Sequence, residues 1–363
     1  MIFKEILDMM IEKDASDIFI RANGNIKGRV YSQIVTIDDT AISSDNVNKI
    51  IDKITRETDK ERLRSQKGCE FTYWYKDFWR FRVGVFYQRG TPSLVVRKID
   101  LRIPSFEELS LPPELLTKFC KERRGIIFLT GITGSGKSTT IASMIDYINN
   151  NFGRHIVTIE EPIEFTFEDK KSIINQREIG TDVWSYKDAL KQFALHSPDV
   201  VYIGNIRDAE TCHAALTIAQ TGVLVFSTLH TVNAASTVER IINFFPSHQH
   251  NFVLNQLSFL LKGVFSQRLI PRCDRAGLVP AYESMVLSPS VSRLIRENKL
   301  WEIPKYIDSG DIYGMVSFQK SLLGLVESGK VSFENALAYA DRKDELEMEL
   351  RSRGKIQSQD EDL

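Results

Sequence analysis

Gly125-Ile-Ile-Phe-Leu-Thr-Gly-Ile-Thr-Gly-Ser-Gly-Lys-Ser138 is the most informative stretch of this chain. Its apolar beginning predicts a buried strand, and the segment 139–149 that follows predicts a helix. Between them, residues 131–138 fit the pattern G-x-x-x-x-G-K-[ST] of a phosphate-binding loop in its usual strand-to-helix context. Glycines allow the backbone N–H groups of such a loop to face phosphate oxygens, and the helix N-terminus adds the positive end of its dipole.

The motif predicts ATP and Mg²⁺ as cofactors. We expect Lys137 to reach the β- and γ-phosphates and Ser138 to hold the Mg²⁺ ion. The alternative is an accidental glycine-rich turn, which is disfavoured because the motif and both flanks agree. The residues expected to bind the nucleotide phosphates are Gly131, Thr133, Gly134, Ser135, Gly136, Lys137, Ser138 and Thr139.

Three further apolar runs, His155–Ile159, Asp199–Ile203 and Gly222–Phe226, alternate with helical patterns. Continuous apolar runs are typical of strands covered on both faces by helices, so we expect an α/β domain with a mostly parallel sheet. The carboxyl ends of parallel strands meet at one edge of a sheet. Polar side chains that follow these runs should therefore share one site.

Those polar side chains suit phosphate chemistry. Ile159-Glu-Glu-Pro-Ile-Glu164 supplies three carboxylates, which can order Mg²⁺, orient a water or accept its proton. Taken alone this segment would be a solvated loop, but beside a phosphate-binding loop the catalytic interpretation is favoured. A lone histidine at a strand end, such as His230, more often has a structural role. Here, where the strand ends are expected to share one site, His230 and Thr228 are interpreted as residues that sense the γ-phosphate. The candidate catalytic residues are Glu160, Glu161, Glu164, Asn205 and His230.

The rest of the chain suggests a second domain. Residues 1–100 contain short strand-like runs, among them 70–75 and 79–87, but no catalytic cluster. The proline-containing segment 101–118 is predicted to be a linker, the ATPase domain to span 119–345 with helices at its C-terminal end, and the polar residues 346–363 to form a disordered tail.

Composition limits the class of protein. The chain has 363 residues, of which 42% are hydrophobic and 26% charged, as in a packed globular protein of two domains. The net charge of −1 lacks the basic excess of nucleic-acid binders, so no nucleic-acid partner is expected. Four widely spaced cysteines predict reduced thiols and no zinc site. No apolar run approaches the roughly 20 residues that span a bilayer, and we expect a cytoplasmic protein.

Taken together, the motifs resemble the type IV pilus retraction ATPases, the PilT and PilU family of the type II/IV secretion motor ATPases, over roughly residues 1–345. The segments that carry the resemblance are Glu160–Glu164, Ile174–Glu178, Thr228–Thr231, Arg240–Pro246, Ala15–Ile18 and Arg80–Arg89. The resemblance implies a PAS-like N-terminal domain and a RecA-like P-loop ATPase domain with a helical C-terminal part. Within the family, Phe244–His250 and Ala336–Asp341 favour the PilU side.

The resemblance also implies partners and residue roles. The expected assembly is a homohexamer with ATP between neighbouring subunits, working at the cytoplasmic face of the inner membrane. The expected partners are the pilus platform protein of that membrane and a paralogous retraction ATPase. Glu164 matches the family's proposed general base, and Arg207 is an interface or nucleotide candidate. Arg80, Arg82 and Arg89, for which we expect no ligand in their own domain, match basic residues near the nucleotide of a neighbouring subunit.

The chain departs from the family pattern at four single positions and in the first half of a C-terminal motif at Ser290–Glu297. Glu161 stands in place of Asp, Leu195 in place of a common Arg, and Val223 in place of a His. Asn205 stands in place of the acidic Walker-B residue, and its neutral amide cannot accept a proton. Two functions therefore compete, a motor that hydrolyses ATP and a hydrolysis-poor nucleotide-binding subunit that modulates an active paralogue. A nucleic-acid translocase or small-molecule kinase is disfavoured by the charge and by the extent of the resemblance.

Overall fold

The computed structural model describes residues 3–30, 33–76, 79–99, 102–192, 197–310 and 313–353. The chain divides into two compact units, Met1–Arg102 and Ile103–Leu363, each with its own sheet and hydrophobic core. Leu195 and residues 354–363 lie outside the described residues. Within those residues, no helix has the length and apolar character needed to cross a bilayer.

The N-terminal unit is built on an antiparallel sheet of six strands. With the strands numbered along the chain, their order across the sheet is β3-β2-β1-β6-β5-β4. Its strands are β1 (Asp17–Arg21), β2 (Gly24–Val30), β3 (Gln33–Ile42), β4 (Gly68–Tyr75), β5 (Trp79–Gln88) and β6 (Thr91–Ile99). Its helices are α1 (Phe3–Glu12), α2 (Ser44–Ile54) and α3 (Glu57–Gln66). The sequence did not predict β2 and β3, because each buries only one or two apolar residues and shows no strong alternation.

The second unit contains a seven-stranded sheet in the order β13-β12-β7-β11-β10-β8-β9. Its strands are β7 (Gly125–Thr130), β8 (His155–Glu160), β9 (Ile173–Glu178), β10 (Val200–Ile203), β11 (Leu224–Leu229), β12 (Leu261–Pro271) and β13 (Leu278–Val286). All neighbours are parallel except the pair β12–β13. The predicted α/β class is confirmed, and every residue of β7, β10 and β11 is buried, as their apolar runs indicated.

Helices flank this sheet and fill the C-terminal part. They are α4 (Pro113–Lys121), α5 (Lys137–Asn151), α6 (Tyr186–Lys191), α7 (Ala209–Gln220), α8 (Ala234–Ile242), α9 (His250–Leu260), α10 (Pro289–Arg296), α11 (Ile303–Ser309), α12 (Phe318–Glu327), α13 (Phe333–Tyr339) and α14 (Lys343–Ser352). Short 3₁₀ turns lie at Ser247–Gln249 and Leu300–Glu302.

The expected linker, 101–118, is largely part of the second unit. Helix α4 begins inside it, and Leu116 of that helix is buried in the core of the second unit. Phe106 and Leu111 are buried in the same core. Pro113 stands in the first turn of α4, where a missing N–H costs nothing, so it marks a helix start and not a hinge.

The disordered tail expected over residues 346–363 was predicted to begin too early in the chain. Helix α14 continues to Ser352, and its Leu346 and Leu350 are fully buried in a small core with α12 and α13. The two leucines are four residues apart and therefore lie on one face of the helix. The many charges around them concealed this apolar face in the sequence.

Candidate functional site

The glycine-rich loop leaves β7 and enters α5 along a tight path. Gly131, Gly134 and Gly136 have φ angles of 142°, 78° and 90°, in the region that favours glycine. A Cβ on Gly131 would lie 2.4 Å from the Ser135 Oγ atom and 2.5 Å from the Gln267 main-chain oxygen. A side chain at this position is therefore excluded by the neighbouring strand and by the loop itself.

Lys137, the first residue of α5, lies over this loop. Its Nζ atom donates hydrogen bonds of 2.8 Å and 2.9 Å to the carbonyl oxygens of Gly131 and Ile132. Burial lowers the pKa of Lys137, and the negative charge of Glu164 opposes that shift. Ser138 and Thr139 follow, half-buried, in the first turn of α5. The Oγ atom of Ser135 is buried without a hydrogen-bond partner among the described residues.

The three carboxylates after β8 have different surroundings. Glu160 is 7% exposed, and its Oε1 atom accepts hydrogen bonds from the Thr158 hydroxyl at 2.6 Å and the Gln176 amide at 3.3 Å. Burial raises the pKa of Glu160 to about 7 in spite of these hydrogen bonds. Glu164 is half-buried, and its N–H donates to the Glu160 carboxylate. Glu161 is exposed, and its Oε2 atom lies 3.3 Å from the Arg207 guanidinium.

Asn205 follows β10 at the same edge of the sheet. It is half-buried, and its Oδ1 atom is buried without a hydrogen-bond partner in the part of the chain that the structure describes. Its N–H donates to the hydroxyl of Tyr186, the first residue of α6. Burial and the charge of Glu161 raise the pKa of Tyr186. Tyr186 belongs to no phosphate-binding pattern, and nothing in the sequence marked it.

The end of β11 completes this edge. The Thr228 hydroxyl donates a 2.5 Å hydrogen bond to the carbonyl oxygen of Gly204, which ties β11 to the turn that carries Asn205. His230 is exposed, and partial burial together with the positive charges of Lys137 and Arg207 lowers its pKa. The structure thus brings together the ends of β7, β8, β10 and β11 with the side chains that the sequence singled out there.

The three arginines of the N-terminal unit have surroundings of their own. Arg80 is 3% exposed and lies 5.2 Å from the Trp74 ring, its cross-strand neighbour on β4. Arg82 forms an ion pair with Glu70, whereas Arg89 is exposed. The expectation that these arginines have no ligand in their own unit is wrong for Arg80 and Arg82. These contacts could not be predicted from the sequence pattern, because they form only when β4 and β5 pair.

A cavity of about 220 Å³ adjoins the start of α5. Its wall combines Thr139 and Thr140 of α5 with Leu109 from the segment before α4 and with Gln267 and Leu269 of β12. These residues are separated by up to 160 positions along the chain, from 109 to 269, so no local pattern could have predicted the cavity.

Replacing Glu160 by Gln is expected to stabilise the protein at alkaline pH. A carboxyl whose pKa is raised on folding destabilises the folded state progressively as the pH rises from its unfolded pKa, 4.5, to its folded pKa of about 7. Glu160→Gln should therefore gain at most about 3 kcal/mol in free energy of unfolding at pH 8 and nothing at pH 4. Urea unfolding at both pH values measures this. Glu161→Gln, at an exposed carboxylate, is the control, and equal stabilities of Glu160→Gln and wild type at pH 8 would contradict the buried state of Glu160.

Comparison with known proteins identifies the family of this chain. The family described as Type II/IV secretion system protein matches residues 1–354. The type IV pilus ATPase PilU of Pseudomonas aeruginosa is 36% identical over 349 residues, covering 96% of this chain and 91% of that protein. The type IV pilus retractation ATPase PilT of the same organism is 37% identical over 332 residues, covering 92% of this chain and 96% of that protein.

A solved structure extends the comparison to three dimensions. The crystal structure of the pilus retraction motor PilT with bound ADP matches with a TM-score of 0.89 and 39% identity, covering 96% of this chain and 99% of that one. Both the sequence and the fold are therefore shared along nearly the whole length. The chain belongs to the type II/IV secretion system protein family and, within it, to the PilT/PilU group of type IV pilus ATPases.

Proposed function

We propose that this protein is an ATP-hydrolysing subunit of a ring-shaped motor that powers the retraction of type IV pili, with a role like that of PilU. The observation that carries the proposal is the position of Lys137. Its ammonium lies over a glycine loop at the edge of the sheet where Glu160, Glu161 and Glu164 also stand. A cation at a helix N-terminus binds the phosphates, and carboxylates nearby handle a water and its proton.

The loop residues fit a nucleotide and its metal ion. Gly131 has no room for a Cβ, and Ser135 Oγ has no partner among the described residues, as expected of a loop that closes on phosphate oxygens. The Ser138 hydroxyl would hold Mg²⁺ at the start of α5. When bound, this ion supplies positive charge that neutralises the phosphate oxygens.

The chain's own groups then divide the work. Lys137 would exchange its two carbonyl partners for phosphate oxygens, because hydrogen bonds between charged groups are stronger. Glu164, half-buried and close enough to influence the pKa of Lys137, would take the proton of the hydrolytic water. Glu160 has a pKa of about 7 and would accept or release a proton near neutral pH. His230 would contact the γ-phosphate from the neighbouring strand end.

The assembly is proposed from the family. We infer a PAS-like N-terminal domain, a RecA-like ATPase domain and a cytoplasmic homohexamer with ATP between subunits. Head-to-tail rings place an arginine of one subunit at the phosphates of the next. Arg89 and Arg207 are exposed and suit this role, whereas Arg80 would first have to leave its contact with Trp74. The platform protein of the inner membrane and a paralogous motor are the proposed partners.

A second candidate function is that of a hydrolysis-poor subunit that modulates an active paralogue. The observation that favours it is Asn205, because its neutral amide stands where the family has a carboxylate. Such a subunit would still bind ATP through Lys137, since the glycine loop is intact.

Phosphate release and particle mass test these two functions. With ATP and Mg²⁺, mass photometry should show particles of six subunits, and the purified protein should release phosphate. If the purified protein releases no phosphate alone but changes the rate of phosphate release by an active paralogue when the two are mixed, the second function holds. A persistent monomer at micromolar concentration without phosphate release would contradict the motor proposal.

A further inference from the structure

We propose that Gln267 recognises the base of the bound nucleotide and makes the site selective for adenine over guanine. The inference rests on the proposed function, because it assumes that the glycine loop holds a triphosphate. It goes further in assigning the choice of nucleotide to one side chain of β12.

Gln267 lies directly beside the glycine loop. Strand β12 pairs with β7, and the Gln267 main-chain oxygen is 2.5 Å from the position that a Cβ on Gly131 would take. The Gln267 Nε2 atom is 3.8 Å from the corresponding position on Gly136. The side-chain amide therefore lies beside the last glycine of the loop and contributes to the wall of the cavity beside α5.

The Gln267 amide has an unused hydrogen-bonding group. The residue is 2% exposed, and its Oε1 atom has no hydrogen-bond partner within the described ranges. A buried amide oxygen without a partner is costly, and such groups in a folded protein call for an explanation. The explanation here is a ligand that supplies the missing partner.

The cavity suits a flat apolar ring with a polar edge. Leu109, Leu111 and Leu269 provide apolar contact surface, and Thr139 and Thr140 connect the cavity to the first turn of α5. Its volume of about 220 Å³ is below the roughly 300–1,000 Å³ of a pocket for a whole ligand. It therefore accommodates one part of a nucleotide whose phosphates lie in the neighbouring loop. The leucines of the wall favour the base, and Glu108, Arg272 and Arg275 add charged groups to the same wall.

The chemistry of an amide distinguishes the two purines. Adenine presents an N6 donor beside an N7 acceptor, which pair with the oxygen and nitrogen of a glutamine amide. Guanine presents two acceptors, O6 and N7, at the same edge, so one of them would face the amide oxygen. Each such pairing changes discrimination by about 5- to 150-fold in affinity.

The test measures the affinities of the full-length protein for ATP and GTP by calorimetry with Mg²⁺. Wild type should prefer ATP by about tenfold or more. Gln267→Met keeps the length of the side chain without its hydrogen bonds, so it should weaken ATP binding about tenfold and leave GTP within about twofold. Gln256→Met is the matched control, because Gln256 of α9 is also buried with an unpartnered Oε1 atom but does not line the cavity. It should keep the wild-type ratio.

Two further results distinguish the possible failures. If Gln267→Met lowers the affinities for ATP and GTP equally, Gln267 only supports the loop. If wild type binds ATP and GTP with equal affinity, base recognition by Gln267 is overturned, while ATP binding through Lys137 stands. Binding of neither nucleotide would overturn the proposed function and this inference together. If Gln267→Met does not fold, the affinity of wild type for inosine triphosphate is the test. This nucleotide carries O6 but not the guanine N2 amine, and the proposal requires it to bind as weakly as GTP.

Discussion

Lys137→Ala is expected to lower the affinity for ATP by at least about 100-fold. The ammonium is already held at the loop by the carbonyl oxygens of Gly131 and Ile132, so little side-chain freedom remains to be lost when phosphate replaces them. Hydrogen bonds to charged groups contribute about 1.5–3 kcal/mol each, and two of them correspond to a loss of more than 100-fold. Calorimetric titration with ATP and Mg²⁺ measures the change.

The control for this variant is Lys299→Ala, which removes a lysine paired with the exposed Glu297 far along the chain from the loop. Its affinity for ATP should equal that of wild type. Thermal unfolding without nucleotide should show that Lys137→Ala is folded. Equal affinities of Lys137→Ala and wild type would refute the assignment of the glycine loop to phosphate.

Asn205→Glu is expected to raise the rate of ATP hydrolysis tenfold or more, equivalent to about 1.4 kcal/mol or more in the activation barrier. The Asn amide can orient a water but cannot take its proton and brings no charge to Mg²⁺. Its Oδ1 atom is buried and has no hydrogen-bond partner among the described residues, so replacing Asn205 by Glu breaks no hydrogen bond to that oxygen. Steady-state phosphate release with saturating ATP and Mg²⁺ measures the rate.

Asn205→Gln is the matched control, because it has the length of Glu without the charge and should stay at the wild-type rate. The new carboxylate would stand near Glu160, whose pKa is already raised by burial, and like charges oppose each other's ionisation. A bound Mg²⁺ ion would offset this repulsion with its positive charge, so the gain in rate should depend on the Mg²⁺ concentration. If Asn205→Glu leaves the rate unchanged, and the double variant with Leu195→Arg does so too, Glu164 works unaided and the site is not impaired.

Prediction from the sequence succeeded where a local pattern carried the signal. Strands β7, β8, β10 and β11 are continuous apolar runs bounded by polar residues, and all four were predicted close to their observed bounds. Strands β9, β12 and β13 were not, because β9 is a partly exposed edge strand and β12 and β13 show neither a continuous apolar run nor a regular alternation of polar and apolar residues.

The boundaries failed for a similar reason. Prolines suggested a linker and charges suggested a tail, yet Leu116 and Leu350 are buried. Whether a leucine in a polar segment is buried depends on the surface that packs against it. That surface comes from distant parts of the chain, so a prediction from neighbouring residues cannot take it into account.

The sequence by itself determined the glycine-rich loop, the parallel strand–helix order around it and the family, because each depends on residues close together in the chain. The tertiary structure alone decided that Glu160 is buried, that Tyr186 bonds to Asn205, that Arg80 packs on Trp74 and that Gln267 faces a cavity. These features arise from contacts between residues of different strands and helices. The raised pKa of Glu160 and the lack of a hydrogen-bond partner for the Gln267 Oε1 atom among the described residues follow from burial, which exists only once the sheet and its helices have packed.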